Sequence, residues 1–177
     1  FEFIDEIKGG AIPKEFIAPT QKGVKEALDK GVVAGYPMVD VEVTLYDGSY
    51  HDVDSSEVAF KIAASQALQA ASKKADMALL EPIMKVEVTT PSEFMGDIIG
   101  DLSAKRAQIL GSEKRGNYTI INALVPLAEM HGYATAIRSM SQGRAGYYME
   151  ADHYDPVPKN ITDKIVESSG FTGRVEH

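Results

Sequence analysis

The chain of 177 residues is 44% hydrophobic and carries a net charge of −8 at neutral pH. This composition is typical of a globular protein with a packed core, and its acidic balance argues against general nucleic-acid binding, which needs clustered basic side chains. The absence of cysteine excludes disulfides, zinc–thiolate sites and thiol nucleophiles. No apolar run approaches the roughly 20 residues of a membrane span, and nothing resembles a signal peptide, so we expect a cytoplasmic protein without membrane contacts.

Residues 1–82 predict a small, incomplete α/β domain. The chain starts abruptly with strand-like residues, from which we expect an upstream part to be missing. A helix is predicted from Pro19 to about Lys30, with a core-facing stripe of Thr20, Val24, Ala27 and Leu28. Strict alternation of apolar and polar residues over residues 38–46 then predicts a strand, with Val39, Val41, Val43 and Leu45 on its buried face.

A second helix is predicted after a polar loop at residues 47–52. Asp54 is the expected N-cap, and Glu57, three residues later, completes a capping-box pattern. The expected inner face of this helix is narrow and consists mainly of alanines, namely Ala59, Ile62, Ala63, Ala67 and Ala70.

The loop before this helix holds the one cluster with possible chemistry. An imidazole and two carboxylates, at His51, Asp52 and Asp54, are side chains that ligate metals or transfer protons. In an extended chain, however, Asp52 and Asp54 lie on one side and His51 lies on the other. We therefore predict an exposed contact loop, and a small metal-dependent enzyme that uses these three residues is the alternative.

Residues 83–155 predict a second domain with the order β-α-β-β-α-β, which is the ferredoxin-like pattern. Strands are predicted at 84–90, 107–110, 118–125 and 146–154, with a polar turn at 111–117. Helical stripes occupy 94–102 and 127–137, and Gly96 and Gly100 on the first of them predict close backbone packing. Residues 156–177 predict a C-terminal helix followed by a frayed tail.

No motif for an enzyme active site is present. The sequence has neither a Gly-x-x-x-x-Gly-Lys-Ser/Thr phosphate loop nor a Gly-x-Gly-x-x-Gly fingerprint, and Ser65 and Ser139 have no His or acid nearby in sequence that would support a serine triad. The second domain does carry a local group of basic residues, which is either a solvated face or a phosphate-binding patch: Lys105, Arg106, Lys114 and Arg115.

Several long stretches resemble bacterial elongation factor G. Residues 45–57 (LYDGSYHDVDSSE) resemble the tip loop of its domain IV, and residues 80–86 (LEPIMKV) resemble the start of its domain V. Residues 94–102 (FMGDIIGDL) and 125–135 (VPLAEMHGYAT) resemble the two helices of domain V. The resemblance implies a truncated βαβ-type, ribosomal-protein-like domain at 1–82 and a ferredoxin-like domain at 83–155, preceded in the whole protein by a GTPase domain and the first strands of domain IV.

The same resemblance implies the function. The whole protein is expected to hydrolyse GTP, with Mg and nucleotide held in the GTPase domain, and to promote tRNA–mRNA translocation. This chain by itself is expected to bind no cofactor or metal and to catalyse nothing. The loop residues Ser49, Tyr50, His51 and Asp52 are expected at the decoding region of the small ribosomal subunit. The four basic residues are expected at the large subunit, near the sarcin–ricin loop and the stalk base.

Two further alternatives remain at this point. A ribosome-protection or ribosome-recycling paralogue has the same architecture and uses its tip loop differently. A protein-interaction module uses the strand at 39–45, left exposed by the missing N-terminal strands, as a sheet edge that pairs with another chain.

Overall fold

A computed structural model describes residues 1–171 and divides the chain into two compact units. The first unit contains residues 1–79 together with the segment from Pro158 onward, and the second unit is Leu80–Val157. The frayed tail predicted at residues 170–177 lies, from residue 172 on, outside the described residues. Within the described range, no helix combines the length and the apolar character that a membrane span requires.

Both units mix helices and strands, which confirms the α/β fold class. In chain order the elements are β1 (Glu2–Asp5), α1 (Ile17–Lys30), β2 (Glu42–Leu45), α2 (Glu57–Lys74), β3 (Leu80–Pro91), α3 (Met95–Ala104), β4 (Gln108–Arg115), β5 (Tyr118–Pro126), α4 (Tyr133–Ser141), β6 (Gly146–Pro156) and α5 (Lys159–Ser169).

Helix α1 follows its sequence pattern closely. The four residues of the predicted stripe are all buried, because their spacing places them on one side of the helix: Thr20, Val24, Ala27 and Leu28. The helix begins at Ile17, slightly before Pro19, whose missing N–H falls in the first turn where no helical acceptor exists. Gly31, with a φ of 67°, ends the helix in a conformation that favours glycine.

The predicted strand at 38–46 is shorter in the structure. Only Glu42–Leu45 pair, in parallel with β1, from Glu2 opposite Glu42 to Asp5 opposite Leu45. Asp40, with a φ of 55°, interrupts the extended backbone before the strand, and Val39 is 61% exposed instead of buried.

The predicted inner face of α2 is wrong at Ala63, Ala67 and Ala70, which are exposed, whereas Ala59 and Ile62 are half-buried. The side chains that turn inward recur every fourth residue, at Phe60, Ala64, Leu68 and Ser72. Ala63, Ala67 and Ala70 are not among the buried residues of this helix. The prediction assumed packing on a sheet, whereas α2 packs chiefly against α1, and the position of α1 selects a different side of the helix.

The second unit has the predicted ferredoxin-like topology. Its sheet has the order β4-β5-β3-β6, all antiparallel, and the two crossover helices contribute to one core. In β3, Val86 and Val88 are fully buried while Glu87 between them is exposed, so one sheet face packs on the helices and the other faces solvent. Ile98 and Leu102 of α3 and Tyr133 and Ile137 of α4 complete this core.

Two local expectations for the second unit are corrected. The polar turn predicted at 111–117 is mostly strand, because β4 continues to Arg115, opposite Tyr118, and the hairpin turn is only Gly116 and Asn117. A Cβ at Gly96 or Gly100 would meet no heavy atom of the described chain within 4 Å. These glycines therefore do not serve close packing between described elements.

Candidate functional site

The loop of residues 46–56, called the apex loop below, joins β2 to α2. It carries the four residues that the sequence predicts to make contacts: Ser49, Tyr50, His51 and Asp52. Tyr50 is half-buried, and the other three are exposed. At its start, the backbone N–H of Gly48 donates to the Asp47 side chain at 2.8 Å. The structure thus brings the four residues together on one surface loop.

The backbone of His51 is held in a tight turn. Its N–H donates to Ser55 Oγ at 3.0 Å, and its carbonyl oxygen accepts the N–H groups of Asp54 at 3.2 Å and of Ser55 at 2.9 Å. The imidazole itself is exposed and has no hydrogen-bond or ionic partner among residues 1–171. The turn therefore presents a fixed backbone and an available ring, which offers one donor, one acceptor and a flat face when neutral.

Tyr50 is anchored by aromatic packing. Its ring lies 5.7 Å from that of Phe16, which stacks on Phe60 at 4.5 Å between centroids and an interplanar angle of 11°. Hydrogen bonding to the Asp52 carboxylate raises the pKa of the Tyr50 phenol above its ordinary value, with a smaller contribution from desolvation. Sequence reasoning missed Phe16 and Phe60, because contacts between residues so far apart in the chain leave no local periodicity.

The start of α2 differs from the predicted capping box. Ser56 is the N-cap, with its Oγ accepting the backbone N–H of Ala59 at 3.1 Å. Asp54 lies inside the preceding turn instead. The prediction chose Asp54 because Glu57 follows it at capping-box spacing, but the turn around His51 extends through Ser55 and postpones the first helical residue to Glu57.

The structure gives the metal-dependent alternative no support. Across residues 1–171, no three or more His, Cys, Asp or Glu side chains form a group that is able to hold a metal ion. Asp52 lies near the Tyr50 phenol, whose pKa it raises, and Asp54 lies in the turn. His51, Asp52 and Asp54 are neighbours in sequence without forming a ligand set.

Arg106 lies in a network of ion pairs within the second unit. Its Nη1 and Nη2 donate to the two carboxylate oxygens of Glu81 at 2.7 and 3.0 Å, and its Nε donates to Glu129 at 3.0 Å. These partners, chiefly Glu81, raise the pKa of Arg106 further above its already high value. The backbone of Arg106 has a φ of 58°, and the neighbouring Lys105 lies 3.9 Å from Asp101.

The other two basic residues lie at the far end of β4. Arg115 donates to the exposed carboxylate of Glu113 at 3.1 and 3.2 Å, an interaction that raises the pKa of Arg115 and lowers that of Glu113. Lys114 is exposed beside them. At a strand rise of about 3.3 Å per residue, the length of β4 separates Lys114 from Arg106 by more than about 20 Å, so the four residues form two pairs and not one patch.

A further charged cluster on β6 surrounds His153. Its Nδ1 lies 2.5 Å from Asp152 and its Nε2 lies 2.9 Å from Asp155. Hydrogen bonding to Asp152 and then to Asp155 raises the pKa of His153 above its ordinary value. Because Asp152, His153 and Asp155 are close in sequence, a contact between the imidazole and a carboxylate was detectable from the sequence. Nothing in the sequence showed that both ring nitrogens are engaged.

Comparisons with known proteins agree along nearly the whole chain. The family model described as elongation factor G, domain IV, matches residues 1–76, and the model described as elongation factor G C-terminus matches residues 78–165. Elongation factor G from Aquifex pyrophilus is 59% identical over 166 residues, covering 94% of this chain but only 24% of that protein. The chain is also similar to a crystal structure of a protein from Thermus thermophilus, with a TM-score of 0.79 and 41% sequence identity. This match covers 95% of the present chain and 26% of the Thermus thermophilus chain. The chain thus spans about a quarter of the length of these relatives.

Proposed function

The chain belongs to the elongation factor G family, and on that premise we propose that it is the ribosome-binding C-terminal part of a factor that promotes GTP-dependent tRNA–mRNA translocation. Membership in this family makes the chain part of a translation elongation factor. The family models assign it to domains IV and V, which are not the GTPase domain. GTP and Mg accordingly belong to another part of the whole protein, which would act in the cytoplasm, where ribosomes translate.

The observation that carries this proposal is the exposed His51 on a backbone-fixed turn. RNA recognition relies on unpaired bases, ribose hydroxyls and shape, and a few well-placed donors, acceptors and flat rings are sufficient for it. The acidic balance of the chain therefore does not oppose a local RNA contact. We assign the apex loop, with Ser49, Tyr50, His51 and Asp52, to the small-subunit decoding region, with His51 as the leading side chain.

The two basic pairs support a contact with the large subunit. Lys114 and Arg115 lie at the exposed hairpin end of β4 and offer charges to phosphate groups. Lys105 and Arg106 lie at the other end of the strand. Arg106 uses three of its five N–H groups on Glu81 and Glu129, which leaves two for an external acceptor. We assign these four residues to the surface that faces the sarcin–ricin loop and the stalk base.

The decisive experiment replaces His51 with alanine in the full-length factor. Because an exposed loop side chain contributes little to folding, we expect His51→Ala to slow tRNA–mRNA movement about tenfold or more while it leaves stability and ribosome-stimulated GTP hydrolysis nearly unchanged. Rapid-mixing measurements of both rates on pre-translocation ribosomes test this. His131→Ala, which removes another exposed histidine from the second unit, is the matched control. Loss of GTP hydrolysis, or normal movement, in His51→Ala would contradict the proposal.

A further inference from the structure

Tyr50 occupies a different environment from the exposed residues of the apex loop. It is the half-buried member of the proposed contact set, and its ring extends an aromatic column formed by Phe16 and Phe60. Phe16 immediately precedes α1 and is 7% exposed, and Phe60 lies in the first turns of α2. The column therefore ties the apex loop to the N-terminal ends of both helices, at centroid distances where aromatic rings attract each other.

The polar end of Tyr50 lies near Asp52, whose carboxylate raises the pKa of the Tyr50 phenol above its ordinary value. Between these two residues, the imidazole of His51 has no hydrogen-bond or ionic partner among the described residues.

Ser55 supplies the second restraint, on the backbone. Its Oγ accepts the N–H of His51 and its own N–H donates to the His51 carbonyl, at 3.0 and 2.9 Å. This reciprocal pair closes a small ring that contains His51 and restrains its φ and ψ angles. Together, the aromatic column and the closed turn restrain the backbone from which the His51 side chain projects, and so the direction of its Cα–Cβ bond.

We propose that Tyr50 and Ser55 are positioning residues, which act on the partner through His51 and not by touching it. This inference rests on the proposed function of the apex loop. It revises the role of Tyr50 within that loop and adds Ser55 to the residues on which translocation depends. A preorganised side chain is held close to its productive geometry by supporting residues, and their loss misplaces it without removing it.

A double-mutant cycle in the full-length factor tests the proposal. We expect Tyr50→Ala to slow tRNA–mRNA movement about three- to tenfold, because a misplaced group loses much of its effect. Tyr50→Phe keeps the ring in the column and should stay within about twofold of the parent rate. In a His51→Ala background, Tyr50→Ala and Ser55→Ala should each have little further effect, because residues that act as one unit are not additive.

Each outcome of the cycle has a definite meaning. If Tyr50→Ala slows movement equally in the presence and absence of His51, Tyr50 is itself a contact residue and the inference is wrong. If His51→Ala slows movement but Tyr50→Ala and Ser55→Ala do not, the inference fails while the proposed function stands. If His51→Ala has no effect, the proposed function of the loop fails. Circular dichroism and thermal unfolding check each variant, and should Tyr50→Ala not fold, Ser55→Ala and Tyr50→Leu carry the same cycle.

Discussion

Gly23 of α1 lies directly against the backbone of Lys61 in α2: a Cβ atom added to Gly23 would be 2.2 Å from the Lys61 carbonyl oxygen. Real Cβ atoms do not approach a backbone oxygen so closely. The two helices therefore pack backbone to backbone at this point, which only a residue without a side chain permits. An ion pair between Lys61 and Glu26, at 2.9 Å, spans the same pair of helices.

This contact predicts that Gly23→Ala destabilises the chain, although alanine is the better helix former by about 1 kcal/mol. Separating the helices to admit a methyl group should cost about 1–3 kcal/mol, the usual range for overpacking. Denaturant unfolding followed by circular dichroism measures the change. Gly96→Ala in α3 is the matched control, because its Cβ would meet no described atom and it should stabilise the chain slightly. Equal effects of the two substitutions would contradict the packing argument.

The network around Arg106 predicts that lysine is a poor replacement there. Lysine retains the charge but cannot donate to Glu81 and Glu129 in the geometry of the guanidinium. We expect Arg106→Lys to lower the free energy of unfolding by about 1–2 kcal/mol, since it leaves the largely buried Glu81 with fewer donors. Arg115→Lys, at the exposed pair with Glu113, should produce no measurable change. Equal tolerance of both substitutions would show that the Arg106 network contributes nothing specific.

The hairpin end of β4 predicts a salt-dependent defect in ribosome binding. Lys114→Glu in the full-length factor should weaken affinity more at low salt than at high salt, because exposed phosphate contacts are screened by ions. Measuring the affinity for ribosomes at a series of salt concentrations gives the slope of log affinity against log salt concentration. Lys164→Glu reverses another exposed charge, on α5, and is the control for net charge. A slope that Lys114→Glu leaves unchanged would assign Lys114 to a merely solvated surface.

The cluster on β6 predicts a pH-dependent contribution to stability. The folded-state pKa of His153 is raised, first by Asp152 and then by Asp155, so its protonated form is favoured by folding. Its contribution is therefore fully present below the unfolded pKa, about 6.5, and is lost as the pH rises through the higher folded value. Melting temperatures measured across this range should converge for the parent chain and His153→Gln as the pH increases. A difference between the parent chain and His153→Gln that grew with pH would refute the assignment.

The sequence determined those helices and strands that bury one side and expose the other. The stripe of α1 and the alternation of β3 report directly which residues face a core, since the periods of helix and strand are fixed by backbone geometry. The element order of the second unit then sufficed for its topology. The same kind of local information marked residues 47–52 as an exposed loop, so the candidate apex was accessible from the sequence.

Only the tertiary structure decided which partner each side chain meets. The inward face of α2 depends on where α1 lies. Arg106 finds Glu81 and Glu129 at separations of 25 and 23 residues, so a basic residue that looked available is largely engaged. The anchoring of Tyr50 on Phe16 is equally nonlocal. Such contacts leave no periodic trace in the sequence, because they result from the meeting of distant segments and not from the repeat of any one element.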